Sequence, residues 1–111
     1  MSAVQALEAQ LKNAKELIAR RDSALKLARN PEFKQLILDE FCVQECARYA
    51  QASADPSLDA TARADSLALS QAAGHLRRWL QVINQMGQVA DREVLQLEEA
   101  IEEARNEEGA E

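Results

Sequence analysis

Residues Leu80–Ala104 read LQVINQMGQVADREVLQLEEAIEEA, and their apolar members fall on a heptad track. Leu80, Ile83, Ala90, Val94, Leu97, Ile101 and Ala104 recur at alternating spacings of three and four, with Gly87 filling the one remaining place. Such a seam predicts a helix buried against another helix, because an exposed apolar stripe costs free energy in water. A second track near the start supplies the partner. It consists of Val4, Leu7, Leu11, Ala14, Ile18, Leu25 and Ala28, with only Arg21 out of character. A glycine on a seam also lets a facing helix come close, which gives Gly87 a use.

Charge agrees with this pairing. Residues 1–30 carry six Lys or Arg against three Asp or Glu, whereas residues 91–111 carry two Arg against nine Asp or Glu. Opposite fields favour pairing of the two helices with each other, while each rim ion pair contributes only about 0–1 kcal/mol. The whole chain has 111 residues and a formal net charge of −6, enough for one modest core and the wrong sign for non-specific binding to DNA or an anionic membrane. Phe33, Phe41, Tyr49 and Trp79 are the only aromatics, so alanine and leucine dominate the apolar set, as close helix packing requires.

The punctuation of the chain divides it into three helices. Asn30-Pro31 ends the first, expected from Ser2 to Ala28, and starts the second with Asn30 as N-cap. The second carries apolar residues over more than half its circumference, which predicts burial on two sides, and fades near Ala54. Asp55-Pro56-Ser57 is a turn, and Asp59, with Asp55 as rival, is the N-cap of a third helix that meets no breaker before Asn106 and Gly109. The expected fold is all-α. An antiparallel coiled-coil arm (2–28 with 80–105) joins a small helical head (30–79) that gathers the aromatics, in a single domain spanning 1–105. Residues 106–111 are expected to be a frayed acidic tail.

Three constellations could carry chemistry. Cys42, Cys46 and His75 could ligate zinc, but a fourth ligand is missing and Cys-x3-Cys on one helix is not a usual structural spacing; no metal or other cofactor is expected. His75, Arg77, Arg78 and Trp79 form the most concentrated polar stretch. The arginines are expected to pair with Asp39, Glu40 or Glu45; should they face outward, this patch is the candidate partner-binding site. The run Glu98, Glu99, Glu102, Glu103, Glu107, Glu108 lacks the pocket that catalytic carboxylates need and reads as a solvated face. With one histidine and no phosphate loop or nucleophile elbow, the chain is not expected to be an enzyme.

Several stretches of the chain together carry a family likeness. Ala19-Arg20-Arg21-Asp22, Asn30-Pro31-Glu32-Phe33-Lys34-Gln35-Leu36-Ile37, Ala54-Asp55-Pro56 and Gly74-His75-Leu76-Arg77-Arg78-Trp79-Leu80, followed by a Glu-rich helix, cover most of residues 15–105. In this order they resemble a family of small helical proteins that tailed bacteriophages encode among their structural genes, near portal and capsid. The two cysteines lie outside the pattern, and no functional residue is carried over from it.

The resemblance implies a part in building or filling the virion. The expected function is therefore a non-enzymatic helical interaction protein, scaffold-like or internal to the phage head. The alternative is a small acidic inhibitor or adaptor that binds a host protein during infection. Expected partners are a second copy of the chain and a phage structural or host protein, with no nucleic acid and no membrane. The expected location is the host cytoplasm or the virion, since the N-terminus lacks a secretory signal and no stretch is long enough to span a bilayer.

Overall fold

A computed structural model describes residues 2–110, with Met1 and Glu111 outside the described residues. Helix α1 is Ala3–Arg29, α2 spans residues 31–53, and α3 is Ala60–Ala110. No strand occurs among the described residues. The fold is all-α, with α1 packed antiparallel on the second half of α3 and a small helical head. Two compact units divide the chain: an arm of α1 up to Ala24 with α3 from Ile83, and a head of Leu25–Val82.

In the arm the two heptad tracks face each other. Ala14, Ile83, Gly87, Ala90 and Ile101 are buried, and Val4, Leu7, Leu11, Ile18, Val94, Leu97 and Ala104 are half-buried. Antiparallel register is fixed at two places: Arg21 Nη1 donates to Asp91 Oδ2 at 2.7 Å, and Arg105 Nη2 donates to Glu8 Oε1 at 2.7 Å. The first of these runs with the opposed charges of the two helices and the second against them. The Arg105–Glu8 pair is exposed and the Asp91 end of the other is open to solvent, although the Arg21 side chain is only 14% exposed; ion pairs this wet contribute little beside the packing of the seam. The arm is shorter than the tracks suggest, because Leu25 already belongs to the head and is exposed.

Local chemistry accounts for the helix starts. Ser2 and Gln5 form a reciprocal cap: Gln5 N donates to Ser2 Oγ and Ser2 N to Gln5 Oε1, each at 3.1 Å. Asn30 Oδ1 accepts from Phe33 N at 3.0 Å, with Pro31 at the first helical position. Asp59, not Asp55, caps α3, accepting from Ala62 N at 2.7 Å. Asp55 instead builds the preceding turn, accepting from Ser57 N at 2.9 Å and from Ser57 Oγ at 2.7 Å. At the other end, α3 continues through Asn106 and Gly109 to Ala110; no glycine in the described chain takes positive φ, so none ends a helix in the left-handed manner.

Helix α2 departs most from expectation. It opens with one α turn, Pro31–Phe33, widens into a π-helix over Lys34–Glu45, and returns to α geometry over Cys46–Ser53. The Cys46 N–H reaches back to Phe41 O, the five-residue bond of a π turn. Buried and half-buried positions recur as Ile37-Leu38, Phe41-Cys42 and Glu45-Cys46, four residues apart. A four-residue step keeps such a series near one face of the helix. Only that side is covered: Leu36 and Val43 are 57% and 52% exposed, so α2 is not buried on two sides.

Elsewhere in the head, Cys42 and Ala73 are buried, and Cys46 Sγ donates to Ser70 O at 3.4 Å, tying α2 to α3. Phe33, Phe41 and Tyr49 are half-buried there, whereas Trp79, expected to be gathered into the head with them, is 54% exposed.

Candidate functional site

Helix α3 carries the His75, Arg77, Arg78 and Trp79 stretch, and all four side chains are exposed. Helical periodicity brings three of them together: His75, Arg78 and Trp79 stand at i, i+3 and i+4 on one face. Arg77 stands off that face, and its charge favours the thiolate of Cys42 on α2. Burial outweighs that effect and pushes the Cys42 thiol above its ordinary value, with Cys46 adding to the rise. The expected pairing of Arg77 and Arg78 with α2 is not formed among the described residues. Glu45 is taken by Arg48 instead, whose Nε donates to it at 3.0 Å and whose guanidinium lies 4.7 Å from the centre of the Tyr49 ring.

His75 does not join the two cysteines in a cluster. Among the described residues no group of three or more His, Cys, Asp or Glu side chains is placed to hold a metal ion. Cys42 and Cys46 are free thiols. The glutamates from Glu98 to Glu108 are all exposed along the end of α3.

The arm presents a second surface, and here the tertiary structure adds a distinction that the heptad tracks alone left unread. Each seam has two flanks. The residues that follow Leu7, Ala14 and Arg21 are Glu8, Lys15 and Asp22, and their counterparts on α3 are Asn84, Asp91, Glu98 and Arg105, all charged but Asn84. The residues on the other flank of α1 are Ala3, Gln10, Leu17 and Ala24, none charged. Met86, Glu93 and Ala100 run along the same side of α3, with Glu93 as the one charge.

A groove lies along each edge. The charged edge holds one of about 470 Å³ lined by Glu8, Leu11, Glu98, Glu102 and Arg105 among others. The edge with Glu93 as its one flanking charge holds one of about 270 Å³ lined by Leu17, Met86, Val89, Ala90, Gln85 and Glu93. Met86 and Val89 are 42% and 49% exposed there. The alternation of charged and uncharged flanks was available in the sequence, and reading the positions beside each seam residue would have found it.

Chemically, neither groove offers a nucleophile paired with a base, and the apolar one is suited to receiving aliphatic side chains from another helix. No helix of the described residues is long and apolar enough to cross a membrane. Comparison with known proteins finds no matching family, no matching curated protein and no matching solved structure.

Proposed function

We propose that this chain is a non-enzymatic interaction protein that works by packing its helices on others, as a scaffold-like or internal component in the assembly of a tailed-phage head. The observation that carries the helix-packing part is the exposed apolar edge of the arm, with Met86 and Val89 open to solvent beside a well-matched seam. The phage setting rests on the resemblance of residues 15–105 to small helical proteins of tailed phages.

The experiment is mass spectrometry of purified proheads and virions from the phage that encodes the chain. Presence in proheads, transient or lasting into virions, supports the reading, and absence from both overturns it. One observation favours a second reading, that of an acidic adaptor on a host protein. Glu98, Glu99, Glu102, Glu103, Glu107 and Glu108 are exposed on one helix end and would complement a basic surface. Expression early in infection, with co-purification of a single host protein, would support that alternative.

A further inference from the structure

We infer that Cys42 and Cys46 together form a two-coordinate site for the soft monovalent cation Cu(I). The inference goes beyond the helix-packing reading above and is independent of it, since it concerns a ligand of the head and not a surface of the arm. Both cysteines are free thiols; they stand four residues apart on α2, Cys42 buried and Cys46 half-buried. A four-residue step puts them near one face of the helix, with Cβ atoms about 5–6 Å apart. That is wider than the roughly 3.8 Å between the Cβ atoms of a disulfide, so the pair is better placed to share an ion than to bond to itself.

Helix α3 packs on this face within the head. Cys46 Sγ donates to Ser70 O at 3.4 Å, and further along α3 the charge of Arg77 favours the Cys42 thiolate. The donor set then selects the ion. Thiolates suit Cu(I), Zn(II) and iron–sulfur clusters. Zinc and iron–sulfur clusters take four protein ligands in structural sites, and among the described residues no group of three or more His, Cys, Asp or Glu side chains is placed to hold an ion. Cu(I) needs only two thiolates in line. Binding replaces two S–H bonds by two Cu–S bonds, releases both protons to water, and leaves one net negative charge on the pair. Arg77 offsets that charge. The more open Cys46 meets the ion first, giving up its contact with Ser70 O, and the buried Cys42 closes the site.

Anaerobic titration of the reduced full-length chain with Cu(I), against bicinchoninate as competing chelator, tests this. X-ray absorption at the copper edge counts the neighbouring sulfurs. The expected result is one copper per chain, held by two sulfurs and no nitrogen, with the mass of the protein in solution unchanged. Cys46→Ala and Cys42→Ala should each lose that copper to the chelator, and circular dichroism checks that helix content is kept. Arg77→Gln should keep the stoichiometry and weaken binding about tenfold, as loss of a neighbour outside the ligand set does.

A parent chain that yields all its copper to the chelator overturns the inference. So does copper held by one sulfur, by the His75 nitrogen, or between two chains. A folded cysteine variant that keeps the parent affinity also overturns it. Should the buried Cys42→Ala unfold the head, the sulfur count on the parent chain still decides. None of these results touches the broader reading, which stands or falls on prohead and virion composition.

Discussion

Arg21 and Gly87 are the residues that interrupt the apolar tracks of their respective helices, and in the folded arm they meet. A Cβ built on Gly87 would lie 2.8 Å from both Arg21 Cγ and Cδ, and closer still to its Cβ. The missing side chain makes room for the arginine stem, which lies along the seam while the guanidinium reaches Asp91 and Asp22 at the rim. Those carboxylates, Asp91 first, hold the Arg21 proton more tightly than usual. Gly87→Ala should therefore lower the melting temperature, because two backbone-anchored carbons cannot yield, and overpacking of about 1–3 kcal/mol outweighs the gain in helix propensity. Gly74→Ala should raise it by the equivalent of about 0.5–1 kcal/mol, since nothing stands within 4 Å of the added methyl. Thermal unfolding of the two variants checks the pair of signs. The cysteines differ in a similar local way: burial raises the Cys42 thiol, so alkylation of the native chain should modify Cys42 more slowly than Cys46, with the difference lost in urea. Peptide mass spectrometry after timed labelling reads this, and equal rates would contradict it.

At the scale of elements, capping and turn chemistry set where helices begin. Asn30 and Asp59 do what their positions in the sequence suggest, while Asp55 is occupied by Ser57 in the turn before α3. The Ser57 hydroxyl, then its backbone N–H, holds the Asp55 carboxyl below the usual aspartate range. A depressed folded-state value means a stabilising contribution that is whole above the ordinary aspartate range and fades as pH falls through the depressed value. Asp55→Asn should accordingly lose stability at neutral pH and flatten that part of the acid limb, as urea midpoints measured across acidic pH would show. The seam is tested by charge insertion. Leu11→Asp or Leu97→Asp should melt the arm, since an unpaired charge brought between α1 and α3 costs several kcal/mol. Glu107→Gln, on the exposed end of α3, should change stability by less than about 0.5 kcal/mol. Equal melting temperatures for all three would refute the arm.

Among the described residues few are deeply buried: Ala14, Ile83, Gly87, Ala90 and Ile101 in the arm, Cys42 and Ala73 in the head. Stability should therefore be uneven along α3 although its helix is unbroken from Ala60 to Ala110. Amides between Ile83 and Ile101 should exchange slowest with solvent, and those of Asn106–Gly109, where every side chain is exposed, should exchange fast. Hydrogen exchange followed by mass spectrometry measures this directly. Uniform protection through Gly109 would mean that the helix end is held by contacts with another molecule.

The three helices, their caps at Asn30 and Asp59, and the antiparallel match of two heptad tracks are legible in the sequence, because each depends on neighbours within a turn or on a repeat of seven. What only the tertiary structure decided are relations between residues far apart in the chain. Arg21 lies against Gly87, Cys46 of α2 reaches Ser70 of α3, and Trp79 remains 54% exposed. Periodicity fixes which face of a helix is apolar, but the packing of a second helix fixes which part of that face remains open to water.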